Sequence, residues 1–393
     1  MRIKRLDILR CAAVLLVLSL HLHVSAFADR VGWAGVDLFF VLSGFLISGL
    51  LYLEYKNTHA LNVWRFFVRR GLKIYPAFYV MIFATYIVQR WLCRGVPVTL
   101  QSLVPELLFV QNYYRGVWDH TWSLAVEEHF YIALALLLFL LARRSSGRAN
   151  PFGRIPVIFA GLAITCLTLR ALTVWLAPDS LGRPPHPVYF RTHTRMDSLF
   201  FGVFLGYVYH FRPEVMRNVF ERRNIRLVVA ISSALLLSCC YFLPADHPFL
   251  MTFGLTFLYL GFGGLLVLCL ETHDLLKGRT STLLKSLGTG CAYIGRHSYS
   301  IYLWHLPFII LAPTLVSKFV RLQVLVAILG PFCFFGSCAT GILFSNLIEF
   351  PVLRIREHFF PLPQPAKQLA SYTKPNLRLL SIGQKPLASP LPR

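Results

Sequence analysis

The apolar residues of this chain fall in blocks long enough to cross a lipid bilayer, and that spacing leaves few folds open to it. A hydrocarbon core about 30 Å thick takes ~20 helical residues. A segment in lipid must also satisfy its backbone hydrogen bonds internally, as a helix does. Such blocks lie near residues 8–27, 33–53, 73–92, 123–142, 155–177, 196–211, 226–243, 250–270, 297–316 and 322–347. They predict an all-α integral membrane protein with about ten transmembrane helices. Only 14% of the 393 residues are charged and 56% are hydrophobic, too little charge to clothe a water-facing surface.

A net charge of +22 would suggest nucleic acid in a soluble protein, but its placement gives another cause. Arg2, Lys4, Arg5 and Arg10 open the chain, and Lys56, Arg65, Arg69, Arg70 and Lys73 fill the second connection. Arg143, Arg144, Arg148 and Arg154 fill the fourth, and Arg212, Arg217, Arg222, Arg223 and Arg226 the sixth. Lys277, Arg279 and Lys285 lie in the eighth, and seven more basic residues follow Glu349. The intervening connections are poorer in Lys and Arg, so the positive-inside rule predicts that both termini are cytoplasmic. Membrane lipid, and not nucleic acid, is the expected partner of the basic loops.

The nine cysteines have no Cys-x-x-Cys spacing and no histidine cluster, so they read as small hydrophobes and no metal site is expected. The apolar stretch Cys11–Leu20 followed by Ala26-Phe27-Ala28 has the outline of a cleaved signal peptide. His21 and His23 interrupt it, and a retained first helix is expected. One membrane domain should cover residues 1–360, with 361–393, rich in Pro, Lys and Ser, forming a disordered cytoplasmic tail and no appended soluble domain. The longest outer connection, about 93–122, holds Leu107, Phe109, Tyr113, Tyr114 and Trp118 and is expected to pack on the membrane face or over a cavity.

A charge at the bilayer centre costs at least ~2.5–3.5 kcal/mol, so ionisable residues inside the blocks are functional candidates unless they pair structurally. Arg10 and His21 are eleven positions apart, about 16 Å along one helical face, which puts the imidazole near mid-membrane and the guanidinium at the cytoplasmic edge. The pairing suits a donor that is anionic at one end and reactive at the other. A topology-setting arginine and an interhelical histidine would give the same spacing. Arg70 and Lys73 lie three apart at the same edge, where they can hold phosphate or simply set orientation.

Trp122 to Tyr131 carries Glu127, Glu128 and His129 into a span from outside. One glutamate there can orient an imidazole or an acceptor hydroxyl while the other holds structure. Asp37, Arg195 and Asp197 read either as structural ion pairs or as the acceptor side. His305 falls about 12 Å into the ninth block, at a depth like that of His21, with Pro307 beside it. Glu349 follows the tenth block and can pair with the basic cluster.

These segments together resemble acyltransferase family 3, integral membrane enzymes that acylate bacterial surface polysaccharides, peptidoglycan, lipid-linked sugars and some antibiotics. The resemblance rests on Arg10 to His21, Gly35 to Ile47, Arg69 to Pro76, Thr121 to Tyr131, Arg195 to Gly202, Tyr299 to Pro307 and Glu349, in the family's order. It implies a ten-helix domain of the bacterial inner membrane that takes cytoplasmic acyl-coenzyme A, acetyl-coenzyme A in the simplest case, as donor substrate and binds no permanent cofactor. The acceptor would be a carbohydrate or lipid-linked sugar hydroxyl at the outer face. Arg10 and His21 match the family's arginine, ten residues, histidine signature, which makes His21 the catalytic histidine, and Glu127 and Glu128 match its paired glutamates. Arg70 matches the first arginine of an arginine-x-x-arginine signature, whose second position here is Lys73, a point charge without the bidentate fork. Many relatives carry an SGNH-type hydrolase-like domain after the membrane part.

On this reading the donor phosphates dock on Arg10, Arg70 and Lys73, and the thioester reaches His21, which acts either as general base or as nucleophile. Two other readings use the same residues. One is a glycolipid or exopolysaccharide transporter or flippase lined by the buried charges; the other is a non-catalytic scaffold whose basic loops recruit a partner.

Overall fold

A computed structural model describes residues 4–92, 99–145, 150–178, 187–271, 282–316 and 322–362, so most of the proposed tail lies outside the described residues. Among the described residues every regular element is helical. In chain order these are α1 Lys4–His21, α2 Ala26–Val31, α3 Gly35–Thr58, α4 Val63–Leu92, α5 Leu103–Leu107, α6 Trp122–Arg144, α7 Ile155–Leu176 and α8 Met196–Phe211. Then follow α9 Pro213–Glu221, α10 Arg223–Phe242, α11 Leu255–Glu271, α12 Thr282–Arg296, α13 Ser298–Val316, α14 Leu322–Phe344 and α15 Phe350–Phe359.

Among the described residues seven helical stretches are long and apolar enough to cross a membrane: Ala26–Thr58, Val63–Arg90, Asp119–Arg144, Ile155–Leu176, Arg223–Phe242, Leu250–Leu270 and Leu329–Phe359. The blocks at 8–27, 196–211 and 297–316 are helical too, but α1 carries Lys4, Arg5, Asp7 and Arg10, and α8 has only 16 residues. Large apolar side chains point outward, among them Val157, Ile164 and Trp175 on α7 and Ile231, Leu235 and Phe242 on α10. Polar groups are turned inward, with Asp37, Arg170, Arg195 and Asp197 all fully buried. A chain that exposes aliphatic rows and hides its charges has hydrocarbon as its solvent. It is a multi-pass membrane protein.

Three expectations shift. First, α1 stops at His21, where the chain turns through a left-handed His23 (φ 49°), so the imidazole ends its helix and is not in the middle of a span running to 27. Second, the eighth connection contains α12, which packs along α1 with Gly295 against the Asp7 carbonyl. Third, the chain stays helical beyond Glu349, which follows the tenth block as expected. A π-helical turn, Ser345–Glu349, joins α14 to α15, and that wider turn accommodates Pro351, which has no N–H to give.

The buried centre is α3 against α8. At their crossing a Cβ on Gly44 would stand 1.9 Å from the Leu199 carbonyl oxygen, and one on Gly202 would stand 2.3 Å from that of Val41. Only glycine permits this approach, as the small residues of the Gly35–Phe45 segment suggested. Two ion pairs, with no exposed side-chain surface, flank the crossing: Asp37 on α3 accepts from Arg195 at 2.8 Å, and Asp197 on α8 faces Arg170 on α7 at 2.9 Å. The Arg195 guanidinium also lies over the Tyr189 ring, 4.6 Å from its centroid.

Removing one partner of such a pair leaves a lone charge in lipid, which typically costs ~3–5 kcal/mol, whereas apolar replacement of both is often neutral. Arg195→Met should therefore lower the thermal midpoint of the purified protein sharply, and Asp37→Leu combined with it should recover most of the loss. A double variant no more stable than the single one would mean that the pair does not act as a unit.

Candidate active site

α1, α3, α4, α6 and α13 surround a cavity of ≈ 100 Å³. Its wall includes Arg10, Ser43, Arg70, Lys73, Ser123, Glu127, Arg296, Ser298, Tyr299 and Tyr302. Arg10, Arg70 and Lys73, drawn from two helices, thus line one cavity. Arg296, at the end of α12, adds a fourth cation that the sequence reading passed over as part of a loop. Four cations reach this wall; Asp7, Glu127 and Glu349 pair with three of them, and these groups together keep a small positive excess that favours an anion.

The wall is pre-organised by its own charges. Glu127 accepts from Ser43 Oγ at 2.9 Å and from Arg70 at 3.5 Å. Tyr131 closes that set, accepting from Arg70 and donating to Glu127. Lys73 donates to Glu349, whose other oxygen accepts from Ser300 at 2.7 Å and Ser345 at 3.2 Å. Glu128 points the other way and accepts from Tyr75 at 3.1 Å. Asp37, Arg195 and Asp197 are not on the cavity wall; they form the buried pairs already described.

His21 is not on the wall; the His305 ring stands between it and Tyr302 in the chain of ring contacts. His21 Nδ1 bonds the Val17 carbonyl at 2.9 Å, so the group orienting this imidazole is a backbone oxygen and not one of the paired glutamates. Its ring centroid is 4.9 Å from that of His305, and His305 is in turn 5.0 Å from His120. Tyr302, which does line the cavity, stands 5.6 Å from His305 and 5.7 Å from His120. Its hydroxyl donates to the His120 carbonyl at 2.8 Å and pairs with Ser123 Oγ at 2.6 Å. The cavity, Tyr302 and three imidazoles therefore follow one another inward.

His120 was not anticipated, because it lies just before the apolar block that begins at 123. The signal was its place one residue before the Thr121–Tyr131 segment. It is held by a connection that folds into the bundle, in keeping with its apolar content. The Glu106 carboxyl accepts from the Val117 and Trp118 amides at 3.0 and 3.2 Å and meets Thr121 Oγ1 at 3.0 Å, while that hydroxyl reaches the Trp118 carbonyl at 2.6 Å. Trp118 Nε1 donates to Thr85 on α4 at 2.7 Å.

With this geometry in place the comparison with known proteins decides the family. Residues 3–345 match the acyltransferase domain. The chain belongs to acyltransferase family 3. It is 29% identical over 324 residues to the peptidoglycan O-acetyltransferase OatA of Listeria monocytogenes, covering 78% of this chain and 49% of the relative. To the O-acetyltransferase OatA of Staphylococcus aureus it is 26% identical over 325 residues, covering 78% and 50%. The chain spans about half the length of the curated relatives it matches. No solved structure matches it. In this acyltransferase family member the segments that carried the resemblance split into two groups, one around the cavity and one in the α3–α8 scaffold.

Burial raises the Glu106 carboxyl to about 7, against the pull of the amides that face it. One hydroxyl proton on Thr121 cannot serve both Glu106 and the Trp118 carbonyl, and a protonated Glu106 resolves this by donating to Thr121. Folding thus takes up a proton between the ordinary value of 4.5 and about 7, so stability should fall as pH rises through that window. Glu106→Gln should flatten the pH dependence of the thermal midpoint between pH 5 and 8; an unchanged slope would show that Glu106 is not its source.

Proposed function

We propose that this chain is an O-acyltransferase that moves an acetyl group from cytoplasmic acyl-coenzyme A to a hydroxyl of a cell-surface carbohydrate, peptidoglycan being the first candidate from the names of its relatives. In this reading about ten helices cross the membrane, α1, α8 and α13 included, and both termini are cytoplasmic. The observation that carries it is the meeting of Arg10, Arg70, Lys73 and Arg296 on one cavity whose inner end is Tyr302, next to the histidines.

The phosphates of the donor, expected to enter from the cytoplasmic side, are attracted by these cations. Glu127 and Glu349 hold Arg70 and Lys73 in place beforehand, so little side-chain freedom is lost on binding. The thioester end passes Tyr302 to reach His21. With Nδ1–H committed to Val17, the Nε2 lone pair is the reactive one. It either removes the acceptor's hydroxyl proton or takes the acyl group itself.

The test is turnover of radiolabelled acetyl-coenzyme A by the reconstituted full chain, together with mass spectrometry of surface glycans from cells with and without it. His21→Ala should lower kcat by about 10²–10⁴-fold. Arg10→Gln and Arg70→Gln, each removing a charge-assisted hydrogen bond, should raise the donor KM by about ten- to a hundredfold. Normal turnover by His21→Ala, or an unaltered donor KM in both arginine variants, would refute the assignment. A labelled acyl-enzyme that is absent from His21→Ala would select the nucleophilic route.

A further inference from the structure

His120 and His305 have no task in the account so far, yet both are buried beside His21. Each imidazole of the set faces a backbone carbonyl: His21 Nδ1 faces Val17 at 2.9 Å, His305 Nδ1 faces Tyr302 at 2.6 Å and His120 Nε2 faces Leu303 at 3.1 Å. A carbonyl oxygen only accepts, so each neutral ring keeps its single N–H there. The opposite nitrogens are bare acceptors. His305 Nε2 and His120 Nδ1 are buried and have no hydrogen-bond partner among the described residues.

A buried acceptor left without a donor costs about 1–3 kcal/mol, and here two occur on adjacent rings 5.0 Å apart. Phenylalanine would fill the same space without that penalty. No group of three or more His, Cys, Asp or Glu among the described residues is placed to hold a metal ion. A proton that arrives during the reaction would satisfy such a nitrogen.

We propose that the proton released by the acceptor hydroxyl comes to rest on His305 Nε2, with His120 as the positioning residue that shares the resulting charge. This rests on the acyl-transfer reading and supplies what that reading lacks. If His21 is the nucleophile, its Nε2 attacks the thioester carbon, the C–S bond breaks and coenzyme A leaves as thiolate. That nitrogen then carries the acyl group and cannot also be the base. When the sugar oxygen attacks the acyl carbon, its proton passes to His305 Nε2, the C–N bond breaks and its electron pair returns to His21. If His21 is instead the base, it takes the hydroxyl proton and hands it to His305 as the thiolate departs. In both routes the proton finally leaves His305 for the thiolate or for water.

Two substitutions remove only the bare nitrogen. The amide nitrogen of Asn stands where His Nδ1 does, and that of Gln where Nε2 does, so His305→Asn and His120→Gln can keep their bonds to the Tyr302 and Leu303 carbonyls. The full chain in proteoliposomes, with acetyl-coenzyme A and an N-acetylglucosamine tetramer as probe acceptor, is followed by thiol release and by mass gain of the sugar. His305→Asn should lower kcat by about 10²-fold or more with the donor KM held within about twofold, and His120→Gln should lower it less. In His305→Ala, added imidazole should restore part of the turnover, while benzene, which fills the same space without a basic nitrogen, should not.

Wild-type kcat in His305→Asn, or no imidazole rescue in folded His305→Ala, overturns the proposal. If His21→Ala is inactive while His305→Asn behaves as wild type, only this inference falls. If His21→Ala is active, or the wild type fails to turn over, the acyl-transfer reading falls and takes this inference with it.

Discussion

The fold depends on neutralising charge where hydrocarbon surrounds it. Four carboxylate–cation pairs tie the interior together: Asp37 with Arg195, Asp197 with Arg170, Glu127 with Arg70 and Glu349 with Lys73. They link α3 to the start of α8, α8 to α7, α6 to α4 and the π turn after α14 to α4. The first two pairs are wholly buried, and water contributes nothing to their balance; geometry and the aromatic cage around Arg195 must do so. The latter two retain some exposure at the cavity wall. The same chemistry thus serves as scaffold on one side and, on the other, holds cations ready for an anion.

Helical segments were legible because lipid leaves one solution for an apolar stretch of that length. The positive-inside rule and helical spacing placed Arg10, Arg70 and Lys73 at one edge, but that they share a cavity is a tertiary fact. The role of each acid was not legible. Glu127 read as a candidate for chemistry, while Asp37 and Asp197 read as either structural pairs or the acceptor side, and the tertiary positions of Arg195 and Arg170 assign the two aspartates to the scaffold. Arg170 itself lies deep in an apolar block, and its partner is 27 positions away on another helix.

His120 was hidden for a different reason. Hydropathy reads a residue just outside a block as solvent-facing loop, but the 99–121 connection turns inward around Glu106 and delivers that imidazole to His305. The helix end at His21 was only hinted at: His21 and His23 interrupt the apolar run, but apolar residues resume from Val24 to Ala28 while the backbone turns at His23. In both cases hydrophobicity was read correctly and chain direction was not.

These pieces describe an anion-attracting cavity, a tyrosine on its wall and an imidazole cluster beyond. The most direct test is a cryo-electron microscopy structure of the full chain with a non-cleavable thioether analogue of acetyl-coenzyme A. The account predicts pyrophosphate density within hydrogen-bonding reach of Arg10, Arg70, Lys73 or Arg296, and the acyl end beside Tyr302, directed at His21. An analogue bound elsewhere, or one whose acyl end stays walled off from His21 by Tyr302, would contradict it.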